Sequence, residues 1–199
     1  MILFHNMIDI DIHTHTPHSN GIYNLPFSKL MSDANEWQNQ NISVGIHPWD
    51  VTEDWQKNIP YIIKWISQPQ TKAIGEIGLD KIKGPRLSLQ KEAFIEQALL
   101  AEKVQKPVII HCVKAIDELL SIKKEINPQQ RWIFHGFRGK PQQMQQLLNA
   151  GFYISFGEHF NAKSVKQCPI DRMFIESDDS HLIYKEIKAN IYSLINDKE

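Results

Sequence analysis

The chain has 199 residues, of which 42% are hydrophobic and 23% charged, with a formal net charge of −1 at pH 7. This length suffices for one sizeable domain rather than two, and the near-zero net charge excludes a protein that acts through bulk positive charge, although not a local basic patch. The two cysteines, Cys112 and Cys168, are too few for a disulfide framework and form no CxxC pair.

Seven short apolar runs, each followed by a helical or loop pattern, are predicted to be strands. In chain order they cover residues 8–13, 42–47, 72–77, 107–111, 132–135, 152–156 and 172–177. Runs of about five or six residues suit buried parallel strands, which need not alternate because helices cover both faces. An eighth strand stays open at residues 21–28, where Pro26 disfavours it.

Two segments between the predicted strands have clear helical patterns. Residues 88–105 place apolar side chains at roughly helical spacing, with Ser88 as the expected N-cap. Residues 141–150 begin with a proline and are followed by Gly151, which is typical of a helix start and end. Strands alternating with helices, without a linker or repeat, predict a single α/β domain over residues 1–199.

Side chains that can bind metals stand at the ends of these predicted strands. They are His13, His15, His47, Glu76, His111, His135 and Asp178. In a β/α barrel the C-terminal strand ends converge on one face, so these residues would meet in one mouth. His13 and His15 point the same way in an extended chain and can hold one ion. Imidazole and carboxylate ligands suit several divalent metals, and there are enough donors for two ions that share a carboxylate.

Seven short motifs occur in an order that resembles one known family. They are DIHTH (11–15), GIHPW (45–49), IGEIGLD (74–80), PVIIHC (107–112), HGFRG (135–139), YISF (153–156) and IESDD (175–179). Together they resemble the TatD family of metal-dependent hydrolases, within the amidohydrolase-like barrel superfamily. The resemblance implies a TIM-type (β/α) barrel, distorted or trimmed, with a binuclear metal site.

The resemblance also implies a role for each matching residue. Six side chains would hold two divalent ions, Mg²⁺, Mn²⁺ or Zn²⁺: His13, His15, Glu76, His111, His135 and Asp178. Glu76 would bridge the ions and is catalytic in that sense, while Asp178 would orient or deprotonate the attacking water. Asp11 and Glu176 are expected to accept hydrogen bonds from the ligating imidazoles.

Four further residues are candidates for contacting the substrate. His47 and Arg138 are expected to face a phosphate, and Lys114 stands near the place where the family usually has an arginine. Trp49 is expected mainly to pack against the barrel top, and it could also stack a base. A basic rim at the mouth is predicted from Lys81, Lys83, Arg86, Lys114, Arg138 and Lys140.

The sequence departs from the family pattern mainly around the parts that choose the substrate. Ser177 replaces a threonine, and the usual proline after the final acidic motif is absent. The interval from His15 to His47 is short, as though one β/α unit were trimmed. The metal-binding residues are all retained.

The leading hypothesis is a divalent-metal-dependent phosphodiesterase that cleaves single-stranded DNA, with no obligate protein partner. One alternative keeps the metals but hydrolyses an amide or ester of a small molecule. Another is a non-catalytic metal-binding interaction module. The first residues lack the basic region of a signal peptide, and no run approaches the ~18 apolar residues that span a bilayer, so we expect a cytoplasmic protein with no membrane partner.

Overall fold

The computed structural model describes residues 9–196. Within them, eight strands form a closed barrel in which each strand pairs in parallel with the next and β8 pairs with β1. The strands are β1 (Asp11–Thr14), β2 (Gly21–Asn24), β3 (Ile42–Val44), β4 (Thr71–Asp80), β5 (Val108–Val113), β6 (Trp132–Phe134), β7 (Tyr153–Phe156) and β8 (Met173–Ile175). The predicted TIM-type barrel is confirmed; residue 8 of the first predicted strand lies outside the described residues.

In the described part of the chain, six α-helices pack around the barrel. They are α1 (Ile59–Ile66), α2 (Leu87–Val104), α3 (Ile116–Ile126), α4 (Pro141–Asn149), α5 (Ala162–Gln167) and α6 (Tyr184–Asn196). None of the helices within residues 9–196 is long and apolar enough to cross a lipid bilayer.

The predicted start of α4 is confirmed, whereas that of α2 is wrong. Pro141 opens α4, and Gly151 follows its end with a φ of 79°. In α2 the N-cap is Arg86, whose carbonyl oxygen accepts hydrogen bonds from the N–H groups of Leu89 and Gln90 at 3.1 and 3.3 Å. Ser88 therefore already lies inside the first turn and cannot cap the helix.

The strand that the sequence left open is present as β2. It ends at Asn24, before Pro26, so the proline removes no hydrogen bond from the sheet. The trimming predicted between His15 and His47 therefore affects helices and not strands. Residues 15–20 connect β1 to β2 without a helix, and only 3₁₀ turns at Phe27–Lys29 and Ala34–Trp37 lie between β2 and β3.

The barrel has an inner and an outer apolar core. Six strands each contribute one residue to the inner core, which consists of Ile12, Ile22, Ala73, Ile109, Ile133 and Phe174. The outer core fills the space between strands and helices and contains the large aromatic residues Trp65, Phe94 and Trp132. Both cores support the C-terminal strand ends, where the candidate site lies.

Two strand pairs lose their regular register just where candidate site residues occur. The register shifts between Asp11 and Thr14 in β1 and between Ile74 and Ile77 in β4. Strict alternation would turn His13, which follows the inner residue Ile12, toward the helices. A shift by one residue reverses the face that a side chain occupies. The irregular registers thus allow His13 and Glu76 to enter the barrel mouth.

A glycine allows β4 and β5 to approach closely beside the candidate site. Gly78 pairs with His111, and a Cβ atom on Gly78 would overlap the carbonyl oxygen of His111. Its φ of 151° is also a conformation that L side chains rarely adopt. Glycine at this position therefore permits the strand spacing that brings His111 to Glu76.

We predict that Ile109→Ala lowers the free energy of unfolding by about 2–5 kcal/mol, because Ile109 is fully buried and its truncation leaves a cavity. Ile63→Ala is the control: Ile63 is 48% exposed on α1, and we expect a change within about 0.5 kcal/mol. Urea denaturation measures both values. Equal losses in the two variants would contradict the assignment of Ile109 to the inner core.

Candidate metal centre

At the C-terminal end of the barrel, the carboxylate of Glu76 is surrounded by four imidazoles. It lies 2.7 Å from both His111 Nδ1 and His135 Nε2. It lies 3.3 Å from His13 Nε2 and 3.4 Å from His47 Nε2. Glu76 itself is only 5% exposed. The predicted convergence of strand ends therefore brings these five side chains together.

Asp178 completes the cluster beside the first strand. Its Oδ1 lies 3.6 Å from His13 Nε2 and 3.5 Å from His15 Nε2. The N–H of Asp178 donates to the carbonyl oxygen of His13, and the N–H of His15 donates to the carbonyl oxygen of Asp178, both at 3.0 Å. These bonds hold Asp178 in a left-handed conformation with φ of 52°, which costs about 1–3 kcal/mol. The strained backbone therefore lies at the residue whose carboxylate contacts His13 and His15.

The arrangement of donor atoms fits divalent cations. Ligand atoms within 4.8 Å of one another form four groups: His13–His15–Asp178, His13–Glu76–His135, His47–Glu76–His111 and His135–Glu176–Asp178. Within residues 9–196, neither ring nitrogen of His13 makes a hydrogen bond, and Nδ1 of His135 makes none. Buried polar atoms normally have partners, and imidazole nitrogens can bind a metal instead.

The electrostatics of the cluster also favour a cation. Burial opposes ionisation of Glu76, but His135, His111 and His13 hold its pKa well below the ordinary value. Burial likewise opposes protonation of His135, but Glu76 and Glu176 raise its pKa well above the ordinary value. The site therefore stabilises positive charge next to Glu76.

A further carboxylate, Asp80, holds His111 from outside the cluster, and the sequence reasoning missed it. Asp80 Oδ2 lies 3.2 Å from His111 Nε2 and accepts a hydrogen bond from Trp49 Nε1 at 2.7 Å. Asp80 Oδ1 accepts from the N–H groups of Ile82 and Lys83, and the Lys83 ammonium lies 3.4 Å from the centroid of the Trp49 ring. Burial opposes ionisation of Asp80, yet these donors lower its pKa. Its place at the end of a barrel strand, inside the IGEIGLD motif, was the available signal.

Two other residues support the cluster from behind. Glu176 Oε1 lies 3.4 Å from His135 Nδ1, beside the imidazole as predicted but without a hydrogen bond to it, and accepts one from the N–H of Gly136 at 2.6 Å. The N–H of Glu76 donates to Asn24 Oδ1 at 3.0 Å, which ties β4 to β2 at the centre. Asn24 carried no signal in the sequence beyond its position at a strand end.

Asp11 does not contact a ligating imidazole, and this prediction is wrong. Its carboxylate lies 2.9 Å from His18 Nε2 and accepts hydrogen bonds from the Ser177 hydroxyl and N–H at 2.6 and 3.0 Å. The Ser177 hydroxyl also lies 2.9 Å from Thr14 Oγ1. Asp11 therefore fastens β1 to the segment that carries Asp178.

A cavity of about 660 Å³ opens over Glu76. His47 and Trp49 line it, and Trp49 is 43% exposed, so its indole lines the mouth rather than packing beneath it. Among the described residues, no lysine or arginine lines this cavity. Arg138 instead lines a smaller cavity that shares Asp178 with the first, and Lys114 lines neither.

Part of the predicted basic rim is neutralised by nearby acids. Lys81 forms an ion pair with Glu118 at 2.8 Å, and Arg86 forms one with Glu53 at 3.1 Å. The remaining members that are exposed and have no ion pair within residues 9–196 are Lys83, Lys114, Arg138 and Lys140. The rim thus offers less positive charge than the sequence indicated.

The two cysteines are poorly suited to nucleophilic chemistry. Burial raises the pKa of the Cys112 and Cys168 thiols to about 12 each. Because the thiolate is the reactive form, neither side chain is a nucleophile near neutral pH. Cys168 lies in the outer core, and Cys112 packs against it.

Comparison with known sequences gives a consistent set of similar proteins. The family model described as TatD related DNase matches residues 10–194. The uncharacterized metal-dependent hydrolase YabD of Bacillus subtilis is 32% identical over 161 residues, covering 76% of this chain and 63% of that protein. The 3′-5′ ssDNA/RNA exonuclease TatD of Klebsiella pneumoniae is 26% identical over 166 residues, covering 78% and 63%. The chain thus spans less than two thirds of the length of these relatives.

Solved structures share the fold. The crystal structure of the TatD homologue YjjV from Escherichia coli superposes with a TM-score of 0.74 at 20% identity, covering 89% of this chain and 77% of that one. A TatD family hydrolase from Entamoeba histolytica superposes with a TM-score of 0.65 at 25% identity, covering 79% and 59%. The barrel is therefore shared with these proteins.

We predict that Mn²⁺ or Zn²⁺ raises the melting temperature of chelator-treated protein, because ions that bind only the folded state stabilise it. At a free ion concentration of 100 times Kd the gain is about 2.7 kcal/mol, and roughly 2–4 °C accompanies each kcal/mol. Glu76→Gln should remove most of this shift, whereas Glu36→Gln, at an exposed carboxylate, should keep it. Calorimetry with and without metal measures the shift. An unchanged shift in Glu76→Gln would contradict the proposed site.

Proposed function

Because the chain belongs to the TatD-related DNase family, we propose that it is a divalent-metal-dependent phosphodiesterase that cleaves single-stranded DNA. The observation that carries the proposal is the buried Glu76 carboxylate among four imidazoles, with Asp178 beside them. Relatives named as metal-dependent hydrolases support the class of reaction, and relatives named as 3′-5′ ssDNA/RNA exonucleases support the class of substrate.

Two divalent ions are proposed to share the cluster. Their ligands would be His13, His15, Glu76, His111, His135 and Asp178. Glu76 would hold ions on both sides of the cluster, since its two oxygens face different histidines: Oε2 faces His13, and Oε1 faces His111 and His135. His47, which also lies beside Glu76 Oε1, is a further candidate ligand. Bound Mg²⁺, Mn²⁺ or Zn²⁺ would supply Lewis acidity, lowering the pKa of water and offsetting the charge of a phosphodiester.

Asp178 is proposed to accept the proton of the attacking water. Burial raises the pKa of this carboxyl above its ordinary value, although His135 and His13 oppose the rise. A carboxylate can act as a general base for water that lies within hydrogen-bond reach of it. The left-handed backbone and the backbone hydrogen bonds to His13 and His15 would keep Asp178 oriented through the reaction.

The walls of the cavity are proposed to position the nucleic acid strand. Trp49 and Phe27 line the mouth and provide aromatic surfaces for stacking a base. Arg138, exposed in the neighbouring cavity beside Asp178, would contact a flanking phosphate. Lys114 lines neither cavity and is a candidate only for longer strands.

A second candidate function is hydrolysis of an ester or amide in a small molecule. The observation in its favour is the lining of the main cavity, which contains Leu25, Pro26 and Phe27 but no lysine or arginine among the described residues. Such a wall suits an uncharged substrate as well as a phosphodiester whose charge is offset by metal ions.

The two free cysteines suit a reducing compartment, and we propose that the protein is located in the cytoplasm.

We predict that the protein hydrolyses a short single-stranded DNA and bis(p-nitrophenyl) phosphate when Mg²⁺, Mn²⁺ or Zn²⁺ is added. Asp178→Asn should lower kcat by about 10²–10⁴-fold, because the amide cannot accept the proton. Glu76→Gln should be at least as damaging, and Glu36→Gln should retain full rate. Wild-type rates no higher than those of the two site variants would refute the proposal. Turnover of ester or amide substrates alone would favour the second candidate.

We predict that Asp80→Asn lowers metal affinity or kcat/KM by about 10–100-fold, because the carboxylate that orients His111 is lost. Trp49→Phe should give a smaller decrease, since it removes the indole N–H that donates to Asp80 but leaves the Asp80 carboxylate beside His111. Trp37→Phe is the matched control: its indole N–H donates to Ser32, remote from the centre. Metal titration and steady-state kinetics measure these effects. Wild-type values in Asp80→Asn would show that His111 is held without this contact.

A further inference from the structure

A second large cavity, of about 710 Å³, lies at the opposite end of the barrel from the candidate metal centre. Its walls are the end of α3, the loop that enters β6, the turn before β7, and Arg172 just before β8. Because all the strands are parallel, these N-terminal strand ends share one face and the metal cluster occupies the other. The cavity is therefore separate from the site described above.

Positive charge is concentrated in this cavity. Four cationic side chains line it: Lys123, Lys124, Arg131 and Arg172. No aspartate or glutamate is among its lining residues in the described chain. Since the whole protein carries a net charge of −1, this accumulation is local. A volume of this size suits a small-molecule ligand.

Lys123 is a largely buried cation in the wall of this cavity, and its charge lacks an ion-pair partner within residues 9–196. It is only 8% exposed, and within residues 9–196 its ammonium makes no hydrogen bond or ion pair. Its Nζ lies 4.9 Å from the centroid of the Trp132 ring and 4.8 Å from that of Phe152. Burial lowers the pKa of this amine to about 8. A buried ammonium facing a cavity is costly unless an anion accompanies it.

The acidic side chain that attracts Lys123 is engaged elsewhere. Glu102 on α2 attracts Lys123, but its carboxylate oxygens accept hydrogen bonds from the N–H groups of Gln129 and Gln130, each at 2.9 Å. Glu102 thus fixes the loop that enters β6 and does not pair with the lysine. The charge of Lys123 stays available to a ligand.

The arginines of the cavity are held on one aromatic wall. The guanidinium carbons of Arg172 and Arg131 lie 4.9 and 5.4 Å from the centroid of the Tyr153 ring. Contact with the aromatic ring restricts the guanidinium of Arg172 while leaving its N–H groups able to donate. Planar guanidinium groups can donate two parallel hydrogen bonds to a phosphate, which a lysine cannot do.

We propose that this cavity binds a small phosphate-bearing anion, with Lys123 and Arg172 as its principal contacts. A phosphate carries two negative charges and three strong acceptor oxygens, which match several converging cations better than a single carboxylate does. The ligand is either free phosphate or the phosphate of a mononucleotide. This inference does not depend on the hydrolytic activity at the other face.

The test is isothermal titration calorimetry of the full chain in EDTA, with inorganic phosphate, adenosine 5′-monophosphate and acetate as separate ligands. We expect phosphate or the nucleotide to bind and acetate to bind at least tenfold more weakly. A tenfold preference for the nucleotide would identify it as the source of the phosphate. Lys123→Met and Arg172→Gln should each weaken binding at least tenfold.

Two controls make the result specific. Lys64→Met removes one exposed charge on α1, and Glu76→Gln alters the metal cluster; both should bind like the wild type. Melting temperatures show whether Lys123→Met is folded, and Arg172→Gln tests the cavity from a second element. Unchanged affinity in both cavity variants, acetate binding as tight as phosphate, or loss of binding in Glu76→Gln would each overturn the proposal.

Discussion

The burial of one negative charge governs this structure: the carboxylate of Glu76, 5% exposed, at the mouth of a closed barrel. A carboxylate in such a place must be balanced by positive charge or hydrogen-bond donors, and four imidazoles from the ends of four different strands surround it. The barrel satisfies this requirement because its strand ends converge from distant parts of the chain. The same arrangement of imidazoles and carboxylates is a candidate site for divalent cations.

The side chains of the cluster are positioned by irregularities in the strands that carry them. The register shifts in β1 and β4 turn His13 and Glu76 into the mouth, and Gly78 allows β5 to come close enough for His111 to reach Glu76. A second layer of residues then fixes the cluster, with Asp80 behind His111 and Asn24 behind the backbone of Glu76. The candidate site residues and the irregular strand registers therefore occur at the same positions of β1 and β4.

Much of this was predictable from the sequence, because buried parallel strands and strand-end histidines leave strong local patterns. What was missed depends on contacts between distant residues. Whether Pro26 ends β2 or prevents it depends on where the neighbouring strand pairs. The face of His13 depends on a register shift, the role of Asp80 on its contact with His111, and the loss of rim charge on the pairing of Lys81 with Glu118. None of these contacts appears in a local pattern.

The missing helix between β1 and β2 has a consequence for how the barrel comes apart. Residues 15–20 leave this stretch of the wall without the helical cover that other strands have, and the backbone bonds between Asp178 and the end of β1 secure it instead. Local opening there would release His13 and His15 while Glu76, His111 and His135 stayed assembled. An ion held by His13 and His15 would then exchange quickly, whereas one held by Glu76, His111 and His135 would exchange slowly.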